Sequence, residues 1–122
     1  MRRPMGKFSR DKGKRYEREL AGKLRDLGFN DVHRTAQFRG NTGAAGDLEG
    51  IPGIHIEAKH QEKLMIYDWM EQSARDAEAA GKGEMPIVIF RRNNCEDLGL
   101  VRLEDLAKLI RSYISDHDVK LP

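Results

Sequence analysis

The sequence predicts an α/β protein with a central mixed β-sheet flanked by helices. Apolar residues recur at helical spacing in three segments, which begin near residues 9, 68 and 103. Short segments typical of strands lie between them, and GIHIEAKH (53–60) and IVIFRR (87–92) are the clearest. Because helical and strand segments alternate, we expect layers of helix on sheet. A chain of 122 residues has the size of one domain, so residues 1–122 are predicted to form a single domain.

The first half of the chain predicts one helix and two short strands. Ser9 or Asp11 can cap a helix that runs to about Leu27, and Gly28 can end it. Its apolar stripe comprises Tyr16, Leu20, Leu24 and Leu27. DVHRTAQ (31–37) predicts a strand, RGNTGAAGD (39–47) a glycine-rich loop, and DLEGI (47–51) a second strand.

The second half predicts the centre of the sheet and two more helices. The Pro52-Gly53 turn between DLEGI and GIHIEAKH predicts an antiparallel hairpin. Asp68, with Glu71 three residues later, predicts the start of a helix that ends at Gly81. The inner side of this helix comprises Trp69, Met70, Ser73, Ala74 and Ala77. IVIFRR predicts a buried strand and LGLVRL (98–103) an edge strand. A final helix carries Leu103, Leu106, Leu109, Ile110, Tyr113 and Ile114, and residues 115–122 are expected to fray.

Positive charge is concentrated at the start of the chain. Eight lysines and arginines but only two acids precede residue 19, a net charge of +6 where the whole chain has +2. Such a segment is typical of proteins that bind nucleic acid, because each neutralised phosphate releases counterions. Residues 1–10 are predicted to form a flexible basic arm, and Lys12, Lys14 and Arg15 to contact DNA. The alternative is a solvated tail that only aids solubility.

Other patterns exclude several classes of protein. No apolar run approaches the roughly 18 residues that span a bilayer, so we expect a soluble intracellular protein without a membrane partner. Cys95 is the single cysteine, and the four histidines are scattered, which argues against disulfides and zinc. RGNTGAAGD lacks the lysine and hydroxyl residue of a phosphate-binding P-loop.

The polar face of GIHIEAKH carries the chemistry. Alternation places His55, Glu57 and Lys59 on one face of the strand, and the predicted hairpin brings Asp47 beside Glu57. Two close carboxylates repel each other unless a hard cation such as Mg²⁺ lies between their oxygens. Lys59 would add a positive charge suited to a phosphoryl transition state. Taken alone, the pair Glu57 and Lys59 favours an exposed salt bridge without a function, and His55 is interpreted as a packing or edge residue.

The wider pattern resembles a known superfamily of nucleases. D-x9-ExK, preceded by a helix with KRYERE and followed by a helix with Gln72, is similar to the PD-(D/E)XK nucleases. KGKRYERELAGKLRDLGF, GDLEG and IHIEAKH together resemble the archaeal-type Holliday junction resolvases, over residues 12 to 92. The sequence departs from that pattern at Gly46, where the aspartate is usually preceded by proline, and in a longer glycine-rich loop before it.

This resemblance implies a restriction-endonuclease-like core and a set of site residues. Glu17, Asp47, Glu57 and Lys59 match the catalytic positions, and the three acids and the carbonyl of Ala58 would hold Mg²⁺, with Mn²⁺ as an alternative. Arg18 and Gln72 would support the site. Arg39, Asn41 and Thr42 in the glycine-rich loop would contact DNA, unless that loop is only a linker.

The implied function is Mg²⁺-dependent endonucleolytic cleavage of branched DNA, above all four-way junctions, by a homodimer that makes paired nicks. The implied setting is the cytoplasm of a bacterial, archaeal or virus-infected cell. One alternative is another PD-(D/E)XK nuclease, for repair, restriction or phage DNA processing, that acts on flaps, ends or a specific sequence. A second alternative is a module that binds nucleic acid without cleaving it.

Overall fold

The computed structural model describes residues 7–36, 45–118 and 120. Within these residues the predicted order of a helix, three strands, a helix, a strand and a C-terminal strand and helix is confirmed. The elements are α1 (Lys7–Asp26), β1 (His33–Arg34), β2 (Leu48–Glu49), β3 (Ile54–His60), α2 (Ile66–Ala80), β4 (Met85–Arg91), β5 (Leu98–Leu100) and α3 (Leu103–Asp116).

The strands form one mixed sheet in the order β1-β2-β3-β4-β5. β3 and β4 are parallel and joined by α2, because parallel neighbours require a crossover connection. The other neighbouring strands are antiparallel. The predicted β2–β3 hairpin is confirmed, with Leu48 opposite Ile56, and β5 forms the predicted edge.

The two faces of the sheet carry separate cores. On one face, Ile56 of β3 packs with Tyr16 and Leu20 of α1. On the other face, Val88 of β4 packs with Trp69 of α2. Since Glu57 pairs in register with Val88, the polar residues of β3 lie on the α2 side of the sheet.

Several helix boundaries differ from the prediction. α1 begins at Lys7, earlier than Ser9 or Asp11, because the lysine and arginine residues of this segment are good helix formers. α2 begins at Ile66, so Asp68 lies in its first turn and is not the N-cap. An acid in the first turn is still stabilised by the helix dipole. Gly81 ends α2 as predicted, in the left-handed conformation with φ 69°.

Strand lengths also differ from the prediction. β1 covers only His33–Arg34 of the predicted segment 31–37, whose last residue lies outside the described residues. β4 starts at Met85, two residues earlier than predicted, and includes Pro86. Proline is tolerated near the first residue of a strand, where its missing N–H removes little of the ladder.

The apolar stripes of α1 and α3 do not pack as far as predicted. Leu27 is 75% exposed because α1 ends at Asp26 and the chain turns there. In α3, Leu103, Ile110 and Tyr113 are 81%, 48% and 61% exposed, so much of its apolar face is uncovered. Among the described helices, none has the length and apolar composition needed to cross a membrane.

Candidate active site

Asp47 is fixed at the start of β2, next to the middle of β3. Its backbone N–H donates to the carbonyl of Ile56 (2.8 Å), and its carbonyl accepts from the N–H of Thr35 (2.9 Å). Its carboxylate Oδ2 accepts a hydrogen bond from the N–H of Ala58 (2.8 Å). Because Leu48 is opposite Ile56 in an antiparallel pair, Asp47 is the cross-strand neighbour of Glu57. The hairpin therefore brings the two carboxyl groups together.

Glu57 is the buried member of this pair. Only 8% of the residue is exposed, and burial together with the charge of Asp47 raises its pKa to about 9. Lys59 opposes this rise, whereas Asp76 on α2 adds to it. Near neutral pH, the pair therefore retains a proton that a divalent cation would displace.

Glu17 approaches the same place from α1. Its Oε2 accepts a hydrogen bond from Nε of Arg34 on β1 (2.8 Å), and both side chains are less than one-quarter exposed. Burial raises the pKa of Glu17, and the nearby charge of Asp47 raises it further, while Arg34 acts in the opposite direction. Glu17 and Asp47 are therefore close enough to repel each other.

A cleft of about 550 Å³ opens at these residues. Glu17, Asp47, Ala58 and Lys59 line it, whereas Glu57, the cross-strand neighbour of Asp47, is buried. The remaining lining residues are Lys12, Gly13, His60, Gln61 and Glu62. The cleft thus combines three carboxyl groups, of Glu17, Asp47 and Glu62, with two lysines, Lys12 and Lys59.

The donor set of the cleft fits a hard divalent cation. Among the described residues, no group of three or more His, Cys, Asp or Glu side chains is already arranged to hold a metal ion. The three carboxyl groups and the Ala58 carbonyl nevertheless supply only oxygen, which Mg²⁺ and Mn²⁺ prefer. The pKa of Glu57 is raised partly because its ionised carboxylate would be repelled by Asp47, and such a cation would offset this repulsion.

The other predicted site residues that the structure describes do not line the cleft. Arg18 and Gln72 are exposed on α1 and α2, as are Lys14 and Arg15 on α1. Arg39, Asn41 and Thr42 lie outside the described residues. His55 is buried with its Nε2 3.9 Å from Oε1 of Glu57.

Two residues near the acids were missed by the sequence analysis. Arg34 lies in the segment predicted as β1, but no spacing rule links it to Glu17 on α1. Asp76 lies on the side of α2 whose buried residues include Ser73 and Ala77. The sequence does place Asp76 on the inner face of a helix. A polar residue there could have predicted a contact with the polar face of β3.

The fold and the site together define a nuclease of the PD-(D/E)XK class. A mixed sheet places Asp47, Glu57 and Lys59 on neighbouring strands, and α1 adds Glu17 at the same cleft. Residues 8–120 match the model of a family described as "Phage putative PDDEXK endonuclease". The chain belongs to this family of phage PDDEXK endonucleases.

One of the solved structures similar to this chain is a Holliday junction resolvase from the archaeal hyperthermophile Archaeoglobus fulgidus. The TM-score is 0.54 at 26% sequence identity, over 74% of this chain and 72% of that chain. A comparison with curated proteins gives no match. The predicted fold and superfamily are thereby confirmed.

Proposed function

We propose that this protein is a metal-dependent, structure-specific DNA endonuclease that resolves four-way junctions by paired phosphodiester hydrolysis. The carboxyl pair of half-buried Asp47 and buried Glu57 carries the proposal, because Asp47 lines an open cleft together with Lys59. Membership of a nuclease family and similarity to a junction resolvase support it.

The three acids, the Ala58 carbonyl and Lys59 have distinct roles in the proposed reaction. Asp47, Glu57, Glu17 and the Ala58 carbonyl would hold Mg²⁺, or Mn²⁺ in its place. When bound, the ion supplies Lewis acidity and lowers the pKa of a coordinated water. Lys59 orients the water for in-line attack on phosphorus and stabilises the charge of the transition state. Hydrolysis then leaves 5′-phosphate and 3′-hydroxyl ends, as the resemblance to the resolvases implies.

Cations on α1 would hold the DNA. Lys12 lies at the cleft itself, and Lys14 and Arg15 are exposed on the same helix. Their charges would neutralise backbone phosphates without reading the sequence. Arg18 and Gln72 support the site in this proposal, and Arg39, Asn41 and Thr42 contact DNA from the loop outside the described residues.

The active form in this proposal is a homodimer. Two nicks placed symmetrically on a junction require two active sites, and two-fold symmetry is the commonest way to supply them. The exposed apolar face of α3 can be covered by the same face of a second copy. The proposed setting is the cytoplasm of an infected cell, which agrees with a phage family.

A second candidate function is phage DNA processing on a different substrate, such as a flap, an end or a specific sequence. The family description favours this candidate because it names an endonuclease without naming junctions. Both candidates use the same acids and the same cation. They differ only in the DNA that reaches the cleft.

Cleavage of a labelled four-way junction and a matching linear duplex tests the proposal. Wild type should make paired nicks in the junction with Mg²⁺ and none with chelator. Glu57→Ala should abolish cleavage, since a proposed ligand of the cation is lost, and should retain junction binding, since the buried Glu57 side chain does not line the cleft. Glu71→Ala is the matched control, because Glu71 is an exposed acid on α2 whose side chain is 70% accessible. Cleavage of flaps or duplex alone would favour the second candidate, and binding without cleavage in any metal would leave only a binding module.

A further inference from the structure

A second cavity continues from the catalytic cleft along α1. It has a volume of about 330 Å³ and shares Lys12 and His60 with the cleft. The other lining residues are Phe8, Arg15, Tyr16, Glu19, Arg91 and Asn93. We call this space the α1 cavity. Its volume lies at the lower end of the range for small-ligand sites.

The α1 cavity and the cleft carry opposite charge. Among the described residues, the cavity is lined by three cations, Lys12, Arg15 and Arg91, and by one carboxylate, that of Glu19. The cleft is lined by two lysines and three carboxylates, which are Glu17, Asp47 and Glu62. A cation suits the acidic cleft, whereas a phosphate group suits the basic cavity beside it.

The base of the cavity is held rigidly. Arg91 donates from Nη1 and Nη2 to the two carboxylate oxygens of Glu19 (3.1 and 2.7 Å), and its guanidinium lies 5.0 Å above the ring centre of Tyr16. The Tyr16 hydroxyl donates to Oδ1 of Asp97 (2.7 Å), and Lys23 donates to Oδ2 of the same carboxylate (2.7 Å). A site already ordered in this way loses little entropy on binding.

An aromatic ring stands at the open side of the cavity. Phe8 is 76% exposed, and it precedes Lys12 by four residues and Arg15 by seven. These spacings place the three side chains on one face of α1. An exposed aromatic ring beside a row of cations is the arrangement with which proteins bind unpaired nucleic acid, because bases stack on the ring while cations hold the backbone.

We propose that the α1 cavity binds one unpaired nucleotide of the DNA strand next to the phosphate that is cut. Its base stacks on Phe8, and its phosphate lies between Lys12 and Arg15. This inference rests on the proposed function, since it assigns a strand-binding role to a cavity beside the active site. A base inside a continuous duplex has both faces covered by its neighbours, so the cavity favours DNA that is distorted or unpaired at this position.

Binding of a short single strand without metal tests the proposal. The probe is an oligonucleotide of about five nucleotides with 2-aminopurine at its centre, titrated in the presence of chelator. Stacking on Phe8 should quench the fluorescence of 2-aminopurine. Phe8→Ala should remove most of this quenching and weaken binding about tenfold, whereas Phe8→Trp should restore both. Leu27→Ala is the control, because Leu27 is equally exposed just beyond the other end of α1.

The phosphate contact has its own readout. Arg15→Gln should retain the quenching but reduce the slope of log affinity against log salt by about 0.7, the value for one lost phosphate contact on single-stranded DNA. Arg75→Gln, at an exposed arginine of α2, should leave the slope unchanged. Quenching and affinity that are the same in wild type and Phe8→Ala would overturn the proposal.

These results separate the cavity from the nuclease activity, because no metal is present and no bond is cut. If wild type cleaves junctions but Phe8→Ala binds the oligonucleotide as wild type does, the nucleotide-binding role of the cavity is wrong and the nuclease proposal stands. If quenching depends on Phe8 but the protein cleaves no DNA, nucleotide binding in the cavity is supported and the nuclease proposal is wrong. Because Phe8 is exposed, thermal melting of the variants should match wild type.

Discussion

At the residue scale, ionisation of the buried Glu57 opposes the stability of the folded chain. A carboxyl group that is 8% exposed and adjacent to Asp47 is costly to ionise without a cation. The same burial keeps water away from the acid and orders its contacts. In the proposed function, a cation bound beside Glu57 would offset this cost of ionisation.

This cost predicts how the stability of the metal-free protein depends on pH. The pKa of Glu57 is about 9 in the folded chain against an ordinary value of 4.5, so between these values the folded state holds a proton that the unfolded state has lost. Stability should therefore fall as the pH rises from about 5 to about 9. Glu57→Gln should flatten this dependence and raise stability at the upper end by about 1 to 3 kcal/mol while it abolishes cleavage.

Thermal melting in chelator across this pH range measures the effect. Glu71→Gln is the control, because Glu71 is exposed and its removal should leave the pH dependence as it is in wild type. Addition of Mg²⁺ should raise the melting temperature of wild type more than that of Glu57→Gln. A wild-type stability that rises with pH over this range would show that Glu57 is ionised in the metal-free protein.

Some site residues could be predicted from the sequence and others could not. The proximity of Asp47 and Glu57 follows from local rules, since the short connection from β2 to β3 (residues 50–53) and strand alternation bring them to neighbouring positions of the hairpin. The bond between Arg34 and Glu17 depends on how α1 lies across the sheet, which no local pattern specifies. The same holds for Asp76, which meets Glu57 only through the packing of α2.

At the element scale, the β2–β3 hairpin depends on the absence of a side chain at Gly46. A Cβ atom at this position would lie 2.5 Å from the carbonyl oxygen of Ile56. The next residue, Asp47, donates its N–H to that same oxygen. The departure from proline at this position therefore has a physical reason: the backbone passes too close to β3 for a larger residue.

Gly46→Ala should push β2 away from β3 and displace the carboxylate of Asp47. We expect a loss of about 1 to 3 kcal/mol in the free energy of unfolding, because the clash is with backbone atoms that cannot rotate away. Cleavage should fall by at least about tenfold, since Asp47 is a proposed ligand of the cation and a small displacement of such a ligand is costly. Chemical denaturation and cleavage rates measure the two effects.

Gly99→Ala is the matched control in another strand, where an added Cβ meets no atom within 4 Å. It should change neither stability nor cleavage. Full activity in Gly46→Ala would mean that the hairpin relaxes without moving Asp47.

The boundaries of elements were less predictable than their existence. β3 was predicted in full because alternation and β-branched residues agree along it. The start of α2 was placed too late because an acid such as Asp68 is favoured both at the N-cap and within the first turn of a helix. The apolar pattern of α3 predicted its helical structure, but periodicity alone does not show what covers an apolar face.

At the scale of the whole molecule, α3 is the element that the described chain leaves least covered. Leu103, Leu106, Leu109, Ile110 and Tyr113 are all at least 40% exposed, and Leu98 on the edge strand β5 is 50% exposed. An exposed apolar surface of this kind is typical of protein interfaces. None of these residues lines the cleft, so a second copy can cover this surface while both clefts stay open to DNA.

The dimer proposal predicts the effect of a charge on this face. Ile110→Glu should convert a dimer of two 13.9-kDa chains into monomers, with the dissociation constant raised by at least about tenfold, because a buried charge without a partner opposes association. Tyr67→Glu, at an 87% exposed residue of α2, is the control.

Light scattering measures the molar mass of the protein in solution, and a junction in a supercoiled plasmid distinguishes paired nicks from single nicks. Ile110→Glu should still make single nicks, since the residues of the cleft are untouched, but should lose paired nicking. If wild type makes paired nicks at a concentration at which it is monomeric, the proposed dimer is not required for paired cleavage.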